Sequence, residues 1–387
     1  MTLVAGNRIT LLETGDEYFP ALLEALARAR HEVHVETYIF ADDRTGRRVA
    51  MALAACARRG VLVRVLVDGF GSRHLSPALR SILEAAGVML RVYRPTPRWP
   101  LPFLRHLRRL HRKLVVIDGE LAFCGGINLK DDRAGALEQA PRYDFALTLE
   151  GPLVGDVHRL VRRLWRALEL LHPRAGGYPT MPRQPAPPPI LPGHRARLVV
   201  RDNLRHRRAI EDAYIQAIER AQQEIFIACA YFLPGYRMRR ALVEAVRRGV
   251  RVRLLLQGQP DHLMVHTTAY GMYDTLLACG IEIREYAPAH LHAKAAFVDT
   301  DWATVGSSNI DPFSLWLSRE ANVVVEDAAL VARLRESLST AFETRAAPVA
   351  RGAIRGLPPL LRLQAWCVYR LARLLLGLSR EVSRDEF

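Results

Sequence analysis

Cysteine is scarce in this 387-residue chain, and the five residues present, Cys56, Cys124, Cys229, Cys279 and Cys367, show no C-x-x-C spacing. A disulfide framework and a cysteine-based metal module are thereby excluded, and reduced, buried thiols are expected. The amino terminus, MTLVAGNRITLLETGDEYF, lacks a basic segment followed by an apolar core. No secretory signal is read there, which predicts synthesis and residence on the cytosolic side. Acidic residues are in deficit, 40 against 55 Lys and Arg, for a net charge of +15. A field of that sign favours polyanionic partners, either nucleic acid or anionic lipid headgroups. Half the residues are hydrophobic and a quarter charged, which excludes a disordered or fibrous chain. The length allows two domains, each with its own core.

The chain repeats itself. Tyr18 to Asp68 is mirrored by Ile210 to Gln257 as helix, apolar strand, second helix and second strand. Arg58-Arg59-Gly60-Val61 runs into VLVRVLVDG, and Arg247-Arg248-Gly249-Val250 runs into VRVRLLLQG. Further on, Ala86-Gly87-Val88 leads to LRVY and Cys279-Gly280-Ile281 to EIREY. Apolar β-branched runs alternate with helical periodicity, so each copy should be a parallel or mixed sheet with helices on both faces. The proline-rich segment Gly176 to Gly193 reads as a linker. This places a first domain at 1–175, the linker at 176–193, a second domain at 194–346 and a basic amphipathic tail at 347–387.

One pattern occurs twice with identical spacing: His111-x-Lys113, Asp118 and Gly125-Gly126-x-Asn128, then His292-x-Lys294, Asp299 and Gly306-Ser307-x-Asn309. Side chains alternate along a strand, so each His and Lys should share a face that the following Asp does not. Asp118 and Asp299, although part of the catalytic motif, should therefore fix backbone. Displacement at a phosphodiester needs a nucleophile and, on the opposite side of phosphorus, an acid for the departing alkoxide. Two facing histidines meet that need: one imidazole attacks to give a phosphohistidine, and the other donates a proton and later deprotonates the incoming alcohol. Lys113, Lys294, Asn128, Asn309 and Ser307 would hold the phosphate oxygens. The lysines supply the positive charge a divalent ion would bring, so neither metal nor cofactor is called for. His290-x-His292 could instead chelate zinc, but a neighbouring ammonium would repel the cation and no further ligand cluster accompanies the pair.

On these residues the chain resembles the phospholipase D superfamily, whose signature is H-x-K-x4-D-x6-G-[SG]-x-N in two copies. Within it the chain is similar to the bacterial cardiolipin synthases, particularly the B type, through Glu36-Thr37-Tyr38-Ile39-Phe40, Asp68-Gly69-Phe70-Gly71-Ser72 and Ala230-Tyr231-Phe232-Leu233-Pro234-Gly235. The resemblance implies two duplicated α/β/α sandwich domains related by a pseudo-twofold. It also implies histidine-orienting carboxylates that cross-pair, Asp144 with His292 and Glu320 with His111. His111 as nucleophile and His292 as acid/base follow from the same resemblance. The sequence itself leaves those roles open, because Gly126 in the first copy stands where the second has Ser307.

The segment from Leu360, LLRLQAWCVYRLARLLLGL, gathers Arg362, Trp366, Tyr369, Arg370 and Arg373 on one side of a helical wheel. Its arginines oppose a membrane span and fit an interfacial helix, or else a terminal helix packed on the core. Trp99 to Leu110 alternates arginine with bulky apolar groups, as a lipid-facing rim or a solvated loop would. The reading is a peripheral enzyme on the cytoplasmic side of the cell membrane, binding its anionic surface. It would transfer a phosphatidyl group from one phospholipid to phosphatidylglycerol to make cardiolipin. Phospholipid hydrolysis is the alternative, followed by a nuclease, which the tail weighs against, and by a scaffold without turnover, which the complete His, Lys and Asn sets weigh against.

Overall fold

A computed structural model of the chain describes residues 2–95, 108–133, 140–171, 187–202, 205–259, 272–311, 314–315, 317–350 and 352. Residues 99–107 of the rim expected at 99–110, most of the proline-rich linker, and the expected tail apart from 347–350 and 352 lie outside the described residues.

The first half opens with β1 (Val4–Glu13), α1 (Thr14–Arg28), β2 (Glu32–Thr37), α2 (Arg44–Arg58), β3 (Leu62–Asp68), α3 (Pro77–Ala85) and β4 (Met89–Tyr93). It closes with β5 (Lys113–Ile117), β6 (Leu121–Gly125), β7 (Phe145–Glu150) and α4 (Leu153–Leu171). Helix starts are written locally: Asp43 accepts from Gly46 N at 2.8 Å to cap α2, and Ser76 accepts from Leu79 N at 3.0 Å ahead of Pro77 to cap α3. The second half repeats the order with β8 (His194–Arg201), α5 (Ala209–Arg220), β9 (Glu224–Cys229), α6 (Tyr236–Arg247), β10 (Arg251–Gln257) and, after a short helical stretch at 272–278, β11 (Glu282–Tyr286). Then come β12 (Lys294–Val298), β13 (Trp302–Gly306), β14 (Glu320–Glu326), α7 (Ala328–Arg345) and β15 (Ala346–Pro348).

The strands form one 15-stranded sheet in the order β15-β11-β10-β9-β12-β13-β14-β8-β1-β7-β6-β5-β2-β3-β4. Read outward from the β8–β1 junction, the two halves carry equivalent strands in mirrored order, which is the expected duplication about a pseudo-twofold. Within each half three strands are parallel, β2-β3-β4 and β9-β10-β11, and the rest antiparallel. The mixed sheet expected from the patterning is thus present, with one difference. The halves are hydrogen-bonded to each other through Val4↔Ala196 and Asn7↔His194, and no periodicity within either copy encodes that junction. The second half also extends past its expected limit at 346, because β15 pairs antiparallel with β11 and completes the sheet edge.

Burial follows the alternation. Val33, Val35, Val63 and Val65 point toward α1, α2 and α3, whereas β5–β7 and β12–β14 present Leu114, Phe145, Leu147, Ala295, Val305 and Val323 to one core shared by both halves. This shared core fixes how the halves face each other, and the carboxyl-terminal ends of the parallel strands meet the catalytic motifs at the same seam. Of the five cysteines, Cys56, Cys124 and Cys229 are buried free thiols, Cys279 is half-buried and Cys367 lies outside the described residues.

Candidate active site

Each histidine stands two residues before a strand, and the residue before it bridges to the other half. Leu110 pairs with Arg319, and Tyr143 with Leu291. His111 N donates to Arg319 O at 3.0 Å, and His292 N donates to Tyr143 O at 2.9 Å. These crossings set each imidazole beside the other half's carboxylate. His111 Nδ1 lies 2.9 and 3.1 Å from the two oxygens of Glu320, and His292 Nδ1 lies 2.5 Å from Asp144 Oδ2. With Nδ1 engaged, Nε2 is the ring nitrogen left for substrate. The imidazole side chains keep 15% and 18% exposure while Glu320 and Asp144 keep 0% and 4%, so the acids are sealed behind rings that substrate can reach.

Lys113 Nζ donates to His111 O at 2.7 Å, and Lys294 Nζ donates to His292 O. Asn128 Oδ1 accepts from Ile39 N at 3.1 Å, so its N–H groups are the end left for a ligand. Asn309 Oδ1 takes a long contact of 3.9 Å from Cys229 Sγ. The two lysines and two histidines are close enough to act on one another's charge. Burial pushes Lys113 down to about 7 and Lys294 in the same direction. Burial likewise holds His111 below the ordinary histidine range, and His292 is held well below it, by burial and then by the Lys294 and Lys113 ammoniums. Asp144 is raised by burial to about 6. Two lysines and two histidines whose charged forms are all disfavoured make a site that an entering phosphodiester anion stabilises in its protonated states.

Three expected site residues stand differently. Ser307, expected to bind phosphate, is fully buried, and its hydroxyl donates to Glu320 Oε2 at 2.5 Å while accepting from Ala321 N at 3.1 Å. Its one proton is committed to the carboxylate, so it steadies Glu320. Asp118 and Asp299, counted with the catalytic motif, are not brought into the site. Asp118 lies five residues along the strand from Lys113, roughly 16 Å, in a positive-φ turn at 54°. There its carboxylate accepts from Arg30 N, His31 N and Glu32 N at 2.8, 2.7 and 2.9 Å. Asp299, at φ 48°, does the same for Gln222, Gln223 and Glu224. The pair hold the start of β2 and β9, as the strand argument anticipated, through a turn that alternation does not describe.

The departure at Gly126 has a steric cause. A Cβ there would stand 2.2 Å from Asp144 Oδ1, whereas Ser307 faces a carboxylate one methylene longer. The short acid goes with glycine and the long acid with serine. Gly126→Ser is expected to push Asp144 off His292 and lower turnover about 10- to 100-fold, the usual range for lost outer-shell support. Steady-state rates set beside a thermal melt check this, since a loss of rate without a loss of fold is the predicted pattern.

Several contributors lie outside the repeated His-x-Lys pattern. Asp68 Oδ2 accepts from Leu110 N at 2.8 Å, and Gln257 Oε1 accepts from Leu291 N at 2.9 Å, so equivalent residues at the ends of β3 and β10 hold the backbone just before each histidine. A polar residue closing each repeated apolar strand, VLVRVLVDG and VRVRLLLQG, was the available clue. Tyr38 sets its ring edge-on to His111, with centroids 4.8 Å apart, and lies 5.4 Å beneath Lys113 Nζ. A Cβ at Gly71 would come within 2.7 Å of that ring. Arg112 runs into the interior to pair with Glu36 at 2.8 Å, where the second half has Ala293 and Ala228.

His290 and His292 do not share one partner: His290 Nδ1 bonds Gln257 Nε2 at 2.8 Å, while His292 Nδ1 meets Asp144. Among the described residues, Glu32, His34 and His158 form the group close enough to hold an ion, at the Asp118 end of β2. Arg64 at 3.7 Å and Arg162 at 3.9 Å already answer the Glu32 charge, His34 bonds it at 2.9 Å, and His158 stands 2.9 Å from its other oxygen.

Paired imidazoles and ammoniums at the seam of a duplicated α/β sheet mark the phospholipase D class of phosphodiester-processing enzymes. The family described as "Cardiolipin synthase, PLD-like domain" matches residues 22–141 and 214–341. Cardiolipin synthase B of Shigella flexneri is 41% identical over 344 residues, covering 86% of this chain and 80% of that protein. Cardiolipin synthase 2 of Bacillus anthracis is 31% identical over 336 residues, covering 86% and 64%. Among solved structures, phosphatidylserine synthase of Haemophilus influenzae Rd KW20 superposes with a TM-score of 0.70 at 13% identity, covering 97% of this chain and 96% of that one. The chain belongs to the cardiolipin synthase, phospholipase D-like family.

Proposed function

We propose that the protein is a phosphatidyltransferase that makes cardiolipin from phosphatidylglycerol and a second phospholipid. The observation that carries the reading is the crossed pairing, His111 with Glu320 and His292 with Asp144, beside Lys113 and Lys294. His111 Nε2 attacks phosphorus as the donor's alkoxide departs with a proton from His292, leaving a phosphatidyl-histidine. The acceptor hydroxyl then loses its proton to His292 and displaces His111. Both ammoniums and the amides of Asn128 and Asn309 hold the nonbridging oxygens. The basic surface field draws the protein to an anionic membrane face, where it acts peripherally on the cytoplasmic side. Among the described residues no helix is long and apolar enough to cross a membrane.

The relatives' names and the site chemistry support transfer over nuclease action. Phospholipid hydrolysis uses the same apparatus and is the second reading, since water competes with the acceptor for the same intermediate. The deciding experiment incubates purified protein with labelled phosphatidylglycerol in mixed micelles without added metal. Cardiolipin with released glycerol supports transfer; phosphatidic acid alone would replace this reading with hydrolysis.

A further inference from the structure

The two histidines have unequal surroundings, and the difference is arranged for a second charged substrate. In strand register Tyr38 is the residue of the first half opposite Arg112, and its counterpart opposite Ala293 is Ala230, whose N donates to Ala293 O at 3.1 Å. Where His111 has an aromatic wall, the segment bearing His292 is bordered by a methyl group. Counting back from the orienting acids, Arg142 precedes Asp144 by two residues, and Ser318 holds that place before Glu320. Tyr143 N donates to His290 O at 3.0 Å and bridges Leu291, so 142–144 runs extended beside the His292 segment. Alternation then sends Arg142 to the same side as Asp144.

The arginines beside His111 are already answered. Arg109 lies 3.8 Å from Asp68, Arg112 pairs with Glu36 at 2.8 Å, and Arg319 donates to Tyr93 Oη at 3.1 Å. Arg142 is in ion-pair contact with no carboxylate among the described residues, and its buried Nε has no hydrogen-bond partner. A guanidinium left in that state calls for an anion.

Building on the phosphatidyl-transfer reading, we propose that Arg142, bordered by Ala230, is the subsite for the acceptor lipid's own phosphate. The acceptor is thereby a hydroxyl-bearing phospholipid, and its anion docks beside the histidine that must deprotonate its hydroxyl. In that step the acceptor oxygen forms a bond to phosphorus as the bond from phosphorus to His111 Nε2 breaks. The electron pair returns to His111, and the hydroxyl proton passes to His292. Charge coupling works in the same direction. Arg142 helps hold His292 below the ordinary histidine range, so an anion on Arg142 raises that ring's proton affinity when it must act as a base.

The test separates phosphate recognition from chemistry. Phosphatidylmethanol serves as donor, because it has no hydroxyl to accept, and phosphatidylglycerol competes with a 1-O-alkylglycerol that offers the same diol without a phosphate. Arg142→Gln should lower the ratio of cardiolipin to phosphatidyl-alkylglycerol by at least about tenfold, through a raised KM for phosphatidylglycerol, with most of the ratio restored in Arg142→Lys. Ala230→Tyr should lower the same ratio by crowding the subsite. A ratio within twofold of wild type in Arg142→Gln, or an equal fall in both products, would overturn the subsite while leaving transfer intact. A wild-type protein that gives only phosphatidic acid would overturn the transfer reading, and the subsite with it.

Discussion

His111→Ala should abolish transfer, a loss on the order of 10⁴-fold or more, and should form no covalent adduct with any donor. His292→Ala should lose on the order of 10³-fold with a natural donor, whose alkoxide needs a proton to depart. Given a donor with a 4-nitrophenol leaving group, which departs unprotonated, the same variant should recover the first step. It then lacks the base for the second, so a radiolabelled phosphatidyl group should accumulate on the protein. The crossed carboxylates make the roles separable, because Glu320 and Ser307 still hold His111 when the His292 ring is gone. Label retained by His111→Ala and absent from His292→Ala would reverse the assignment.

Lys113→Met is expected to lower kcat/KM by about 10²- to 10³-fold, the scale of a lost donor to a developing oxyanion. Its pH signature is more specific. In the free enzyme the Lys113 ammonium titrates near 7, so the form that binds phosphate is present below that pH and is lost as pH rises through it. Neutral His111, the nucleophile, is present above a pKa that burial has lowered, and is lost as pH falls. With the 4-nitrophenyl donor, which needs no proton from His292, the kcat/KM profile should therefore be a bell with its alkaline limb near pH 7. Removing the ammonium should erase that limb and move the acid limb upward, because both histidines lose a neighbouring cation. A limb near pH 7 that persists in Lys113→Met belongs to another group.

Much of this arrangement is local in sequence and was legible there. The repeated His-x-Lys-x4-Asp spacing gave the four charged centres, and alternation took Asp118 and Asp299 out of the chemistry. The acid partners came only through resemblance, because His111 and Glu320 are 209 residues apart and are joined by a backbone bridge between halves. Ser307 was misread because a hydroxyl beside a phosphate-binding motif suits either a phosphate or a carboxylate, and only burial against Glu320 decides between them. Arg142 has no repeat counterpart of its own type, and its significance lies in what it does not touch. The continuous sheet across β8 and β1 depends on irregular pairing at Val4 and Asn7, which no hydrophobic period specifies.

The crossed bridges have an implication for how such a protein comes to exist. Neither repeat can orient its own imidazole, so a lone repeat would work only as a homodimer, with both rings in identical surroundings by symmetry. Fusing the copies into one polypeptide releases that constraint. Each ring can then acquire different neighbours, as the Tyr38 and Ala230 positions have, and division of labour between two once-equal residues becomes heritable.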